Sequence, residues 1–561
     1  MIAARVTTES PLFQTGGGEA GNKSDAALAL RKAVDRDVLP LLRWAADPKS
    51  HQDPDTVSAA LLALGKTARG PEDVAVLEKA LLRRDAAEVE REAAALSLGL
   101  LRRTDPADAF DGKALDDVRR GLLSVMDGAS VPGRTRCFAA LAIGILGDQP
   151  VEAGDAFARD GRMTSRELWL RLEAEHAADD VPVSLLVALS LQPRAGIPEA
   201  VLDGLRGLCA SGKLAGRMRG PLTRAHAALA LARLGDADST GLLLGILKSR
   251  NFDVAVRRSA ILALSILGPR LDGERRIAAV SALSDLSRSG DLDTAGLALV
   301  SVAKLLALDA AEGSGSLAEK SEGDETLLRA MAGSASGVRS FAAIALGVAG
   351  HPAGKSCDVT AFADFREKAF ALLREMATDE GADPDARGAA CVGIGILEDE
   401  RALPILQGIV SRRGNGPLLR ADACGGIGLL SRPTQPVLST LRAALSERAS
   451  DDLRREASRA LGHLGDVGVV PTLIDELRSE ASDHVLARAA LALGSIRAIS
   501  SIAPLAALAR STLATDEVRA LAIASLGLIG DGEVLPSLRR IATDSNYLAR
   551  TDALHEAMSL L

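Results

Sequence analysis

Aromatic residues are scarce in this chain. Phe, Trp and Tyr make up 2% of 561 residues, with two Trp and one Tyr. Hydrophobic residues still reach 47%, so a core must be built from Ala, Leu, Ile and Val, which suits closely stacked helices. The same scarcity leaves few platforms for stacking nucleic-acid bases. The five cysteines, Cys137, Cys209, Cys357, Cys391 and Cys424, form no C-x-x-C pair, which excludes a disulfide framework and a zinc ribbon. No run of about 18 apolar residues occurs, so a membrane span is not expected. Positive charge is not in excess either. The formal charge is −8, and the chain as a whole creates no field that would draw phosphate backbones, which argues against nucleic acid as partner. The opening "MIAARVTTESPLFQTGGG" has no basic end followed by a long apolar stretch, so the expected location is cytoplasmic.

What the chain has in abundance is one line, repeated. "EVRALAIASLGLIGD", from Glu517 to Asp531, returns as "DLRREASRALGHLGD" from Asp452, "AVRRSAILALSILGP" from Ala255 and "LTRAHAALALARLGD" from Leu222. With Gly527 as anchor, the equivalents upstream are Gly494, Gly462, Gly428, Gly395, Gly347, Ser265, Ala232, Ser190, Gly144, Gly99 and Gly65, with a degraded copy near Ser301. Spacings of 33, 32, 34 and 33 residues between the last five anchors are the signature of a solenoid. Val518, Leu521, Ala522, Ser525, Leu526 and Ile529 fall at three- and four-residue steps, on one side of an α-helix. A small anchor residue lets two helices approach closely. "GD" ends this first helix, and a second follows, as in "VLPSLRRIA", with an early Pro that recurs as Pro404, Pro471 and Pro504, where a missing N–H does no harm. Each unit has too little surface to fold alone and is buried by stacking.

This line resembles the HEAT repeat, in the short class named after phycobilisome lyases, whose pattern is V-R-x-x-A-A-x-A-L-G-x-L-G-D followed by a Pro-containing helix. The resemblance covers residues 24–561 and implies an all-α, right-handed α-solenoid of HEAT-like helical hairpins. The expected organisation is a flexible tail over residues 1–23, then one continuous solenoid of about thirteen units plus a closing helix, "YLARTDALHEAMSLL". "VLPLLRWAA" from Val38 reads as the second helix of an incomplete first unit.

Eight residues before the anchor stands Arg91, Arg136, Arg224, Arg257, Arg339, Arg387, Arg420, Arg454 or Arg519, with Arg550 in the closing helix. The resemblance implies an Asp/Arg ladder between repeats, and Glu88, Asp253, Asp385, Asp451 and Asp516 precede several of these arginines. Charge-assisted bonds tying loop to helix are the expected role. Insertions of "RRTDPADAFDGKA", "DQPVEAGDAFARDGRMTS", "HPAGKSCDVTAFAD" and "LDAAEGSGSLAEKSEGDE" fall between first and second helices and are expected to form a ridge of loops along one edge. A fifth, "CASGKLAGRMRGPLT", is the one local basic loop, with Lys213, Arg217 and Arg219. These three cations and Trp44, which can anchor an interface, are the candidate partner contacts.

Catalytic signals do not converge. The seven histidines are dispersed, and no metal site is expected. Deoxyhypusine hydroxylase, built from similar repeats, holds two irons on several His-Glu pairs, whereas here only His555-Glu556 occurs. "GGGEAGNKS" near the N-terminus almost spells a phosphate loop, but Asn22 intrudes before Lys23 and Ser24 and no parallel sheet precedes it. No catalytic residue and no cofactor is expected. The reading is a non-catalytic scaffold binding a protein partner through concave second helices or the loop ridge. The alternative implied by the resemblance is a phycobilin-lyase-like accessory or catalytic subunit.

Overall fold

The computed structural model describes residues 28–101, 110, 112–147, 156–177, 179–312, 322–333, 336–351, 360–430, 433–447, 450–478, 482–531, 549 and 551–555. The N-terminal tail with its phosphate-loop look-alike, the stretch "VLPSLRRIA", Arg550, Cys357, Glu556 and residues 102–109, 111, 148–155, 313–321 and 352–359 of the ridge insertions lie outside these residues.

Helices run through the chain in strict alternation. The second helices are α1 (Leu39–Ala46), α3 (Pro71–Leu82), α5 (Gly112–Asp127), α7 (Ala156–Ala174), α9 (Glu199–Ser211), α11 (Thr240–Lys248), α13 (Gly273–Leu286), α15 (Gly323–Gly333), α17 (Thr360–Thr378), α19 (Ala402–Ser411), α21 (Gln435–Ser446), α23 (Val470–Arg478) and α25 (Ile502–Ala509). The first helices, which carry the repeated line, are α2 (Pro54–Thr67), α4 (Glu88–Gly99), α6 (Gly133–Gly147), α8 (Asp180–Ser190), α10 (Pro221–Arg233), α12 (Val254–Leu267), α14 (Leu292–Ala311), α16 (Ser336–Ala349), α18 (Pro384–Ile396), α20 (Pro417–Leu429), α22 (Asp451–His463), α24 (Asp483–Ile496) and α26 (Asp516–Gly530). Local chemistry sets their ends. Asp53 accepts hydrogen bonds from the N–H groups of Asp55 and Thr56 at 3.0 and 3.1 Å and caps α2. Asp253 does the same for α12 through Ala255 at 2.8 Å.

The packed hairpin is offset from the sequence repeat by one helix. Each second helix packs chiefly against the first helix that follows it, as α3 does on α4 and α5 on α6, and only slightly against the one before. α1, the helix "VLPLLRWAA", accordingly pairs with α2 and is the first of thirteen such pairs among the described residues.

Two compact units result. One is Gly235–Asp466, and the other joins the described residues up to Leu234 to those from Val467 onward. In the first, the first helices stack in the order α12, α14, α16, α18, α20, α22. In the second the order is α24, α26, α2, α4, α6, α8, α10, so the chain's last repeats stack on its first. Small anchors make the stacking close. A methyl group added at Gly65 would stand 2.6 Å from Ser97 Cα, at Gly99 2.7 Å from Ala142 Cα, and at Gly144 2.6 Å from Ala188 Cα. The joint between α26 and α2 obeys the same rule, since a methyl at Gly527 would stand 2.7 Å from Ala63 Cβ. Thr56 Oγ1 donates to the Asp516 carbonyl across this joint at 3.4 Å, and Arg519 lies 3.8 Å from Asp53.

First helices are buried nearly all round. In α8 every residue from Val181 to Ser190 is buried, each leucine stabilising the fold by about 1.5–3 kcal/mol. The 20-residue helix α14, with a mean hydropathy of 1.6 over its most apolar stretch, is apolar and long enough to cross a membrane, but 67% of that stretch is buried within the protein. Second helices keep an outer face with charges such as Arg120 on α5 and Asp203 on α9 exposed.

All four ridge insertions, expected as loops, are partly helical. Residues 112–114, 308–311 and 323–325 belong to α5, α14 and α15, and residues 156–165 and 360–364 form the opening turns of α7 and α17, which extend to 19 residues each.

Candidate interaction surfaces

The repeated arginines sit at the start of first helices, and six reach back to the end of the second helix in their own hairpin. Their Nε atoms donate to backbone carbonyls: Arg91 to Leu81 at 3.1 Å, Arg136 to Met126 at 2.8 Å, Arg224 to Cys209 at 2.6 Å, Arg387 to Ala377 at 3.3 Å, Arg420 to Val410 at 2.6 Å and Arg454 to Leu445 at 3.1 Å. The last carbonyls of a helix lack internal partners, so a guanidinium there satisfies them and opposes the negative end of the helix dipole. Some arginines reach forward as well. Arg420 grips Glu447, at the end of α21, in a bidentate pair at 3.0 and 2.6 Å, and Arg136 meets Glu175, after α7, at 2.5 Å. Inter-repeat links therefore run to acids at the ends of second helices. The acids just before the arginines act differently: Asp253 caps a helix, and Asp516 pairs with Arg519 one turn on. Arg257, Arg339 and Arg519 depart from the pattern, each with a buried Nε that has no hydrogen-bond partner. Arg488 escaped sequence reasoning because it stands six residues before its anchor, Gly494, yet it is buried and pairs with Glu476 at 2.9 Å.

The basic insertion is a β-hairpin rather than a plain loop. β1 (Lys213–Leu214) pairs antiparallel with β2 (Arg217–Met218) in the register Lys213↔Met218, Leu214↔Arg217. Ala215 and Gly216 both take positive φ, 48° and 76°, the geometry of a tight hairpin turn that follows strand twist. Leu214 is buried beneath it. Arg219 secures the base, donating to the carbonyls of Glu175 at 2.8 Å, Leu172 at 3.0 Å and Glu173 at 3.4 Å. Burial, with Arg217 close by, pulls its pKa below the usual arginine value. Asp179 completes the mount by accepting from Thr223 Oγ1 at 2.8 Å. Lys213, Arg217 and Met218 are left facing outward, Met218 with 67% of its surface exposed. Arg217 approaches His176 Nδ1 at 3.4 Å.

Both tryptophans now have places. Trp44 lies on α1 with 42% of its surface exposed. Trp169 is buried on α7 against α9, where only glycine fits at position 204 because a methyl there would collide with the indole ring.

Among the described residues, the charges around one cavity are paired and the thiols are buried. A cavity of about 320 Å³ beside the hairpin's mount is lined by Met126, Asp127, Arg136, Arg171, Glu175 and Leu185. Its charges neutralise one another, Arg136 with Glu175 and Arg171 with Asp127 at 2.7 Å. Burial pushes the thiols of Cys137, Cys209, Cys391 and Cys424 up to about 12. Two carboxyls are raised to about 6: Asp324 by burial and Asp309, and Asp422 by burial with Glu456 and Asp385. No group of three His, Cys, Asp or Glu side chains suited to a metal occurs among the described residues.

A sequence profile of HEAT repeats matches residues 19–99 and 438–516. No curated protein matches the chain. Among solved structures, an engineered protein is 19% identical over 78% of this chain and 98% of its own, with a TM-score of 0.28. Kap121p is 13% identical over 93% of this chain and 56% of its own, with a TM-score of 0.38. Kap95p in complex with RanGDP is 12% identical over 92% and 67%, with a TM-score of 0.39. The chain spans just over half the length of Kap121p. With helical hairpins stacked within each of two units among the described residues, and a repeat profile that matches residues 19–99 and 438–516, the chain carries HEAT repeats, and its fold is an all-α solenoid.

Proposed function

We propose that the chain is a non-catalytic scaffold that binds another protein on its second-helix side, with the β1–β2 hairpin as the anchor. The observation that carries this reading is the hairpin itself. It holds an exposed methionine between two cations on a mount fixed by Arg219 and Asp179. A flexible, polarisable methionine adapts to an apolar pocket, and Lys213 and Arg217 favour a partner with acidic residues around that pocket. First helices contribute no comparable surface because they are buried.

The test uses the intact chain as bait in native lysate against a triple variant, Lys213→Glu, Arg217→Glu and Met218→Ser. A protein retained by the first, lost from the second and shown to bind the purified chain directly supports the hairpin as anchor. Retention by both moves the contact to the second helices. The bilin-lyase alternative rests on the repeat resemblance alone. A pigment shift on co-expression with a bilin and an acceptor protein would establish it and displace the scaffold reading.

A further inference from the structure

The run of first helices in the second unit ends at α10, and there the chain returns to itself. Ala549, Thr551, Ala553 and Leu554 of its C-terminal segment are buried, and residues 552–555 are helical. One side chain of α10 bonds this segment. His226, 2% exposed, has Nε2 2.8 Å from the Ala549 carbonyl oxygen. A carbonyl only accepts, so Nε2 carries the proton and donates it. The other ring nitrogen, Nδ1, is buried with no hydrogen-bond partner.

A second proton on this ring has nowhere to go. It would place an N–H with no acceptor, and a full positive charge, where water does not reach. Two charged groups act on the ring. Arg233, on α10, repels a cation and donates to Ser190 Oγ of α8 at 3.2 Å. Asp179, ahead of α8, attracts one but is engaged with Thr223. On the C-terminal segment, Asp552 and His555 are exposed. Opening the contact would return the imidazole to water, where it accepts the proton freely.

We propose that His226 is a pH-sensitive latch: neutral, it holds the C-terminal segment on α10, and proton uptake at Nδ1 releases that segment and uncovers the apolar surface beneath. Burial sets the direction, pushing the pKa of the docked ring down to about 4 from about 6.5 when free. The docked state binds fewer protons, so the latch is at full strength above pH 6.5 and weakens as pH falls from 6.5 towards 4. Between pH 7.5 and pH 5 the docking equilibrium shifts by about 30-fold.

Hydrogen exchange by mass spectrometry on the full chain, corrected for intrinsic rates, tests this. Peptides covering Ala549–Leu554 are expected to lose about 30-fold in protection between pH 7.5 and 5, while α8 stays protected. His226→Gln keeps a donor towards Ala549 without titrating, so its segment should stay protected at both pH values. No loss in the wild-type segment, parallel loss in α8, or an undiminished loss in H226Q overturns the latch. If H226Q already lacks protection at pH 7.5, the wild-type comparison of segment and α8 decides alone.

Discussion

Gly527 tests whether the last repeats stack on the first. In a linear array the trailing face of α26 would meet the closing helix instead of α2, and a methyl added at Gly527 would not couple with Ala63. Here it would lie 2.7 Å from Ala63 Cβ and 2.8 Å from Ala63 Cα, about 1 Å inside the 3.5–4.0 Å at which carbon atoms attract. Neither atom belongs to a flexible side chain, so α26 must back away from α2. Overpacking of this kind costs about 1–3 kcal/mol, and the better helix propensity of Ala offsets up to about 1 kcal/mol. Gly527→Ala is therefore expected to destabilise the unit by about 1–2 kcal/mol. Gly207→Ala on α9 is the control, since a methyl there meets nothing within 4 Å, and it should stabilise by about 0.5–1 kcal/mol. Urea unfolding followed by circular dichroism reads both, with separate transitions allowed for the two units. Ala63→Gly removes the nearer methyl, so the double variant should recover at least about 0.5 kcal/mol of coupling energy. If G527A behaves like G207A and shows no coupling with A63G, α26 does not seat on α2 and the reasoning fails.

Arg420→Gln should cost about 1–3 kcal/mol, because it strands the half-buried Glu447 carboxylate after α21 as well as the Val410 carbonyl. Adding Glu447→Gln should return part of that in thermal unfolding, and a neutral single variant would refute the cap. For Asp422, a raised carboxyl pKa means that the folded state binds the extra proton, so its contribution falls as pH rises from about 4 to 6. Asp422→Asn should then stabilise by about 1–2 kcal/mol at pH 7, allowing for partial exposure, and by little at pH 4; equal gains at both would contradict the assignment. The thiols of Cys137, Cys209, Cys391 and Cys424 should resist a disulfide reagent at pH 8 until denaturant is added, and mass-spectrometric detection of any of them labelled in the folded chain would count against their burial.

The repeat was legible in the sequence because one stacking rule recurs. A first helix needs apolar residues at three- and four-residue steps and a small residue where its neighbour crosses, and the spacing of Gly527, Gly494, Gly462, Gly428 and Gly395 records that need directly. The arginine eight residues earlier was legible too, because reaching the end of the preceding helix requires a fixed position. Three things were decided only by tertiary structure. Periodicity marks which side of a helix is apolar but not which neighbour covers it, so the hairpin frame, with α1 as a full partner of α2, emerged from packing. Two-residue strands carry too few side chains to pattern, so the basic insertion read as a loop until backbone pairing and the carbonyls gripped by Arg219 made it a mounted hairpin. The joint of α26 with α2, and the bond from His226 to Ala549, connect residues hundreds of positions apart, and no local signal encodes such a contact. Sequence by itself thus determined the repeating element and its stacking chemistry, while the seating of α26 on α2 was decided by packing between helices far apart in the chain.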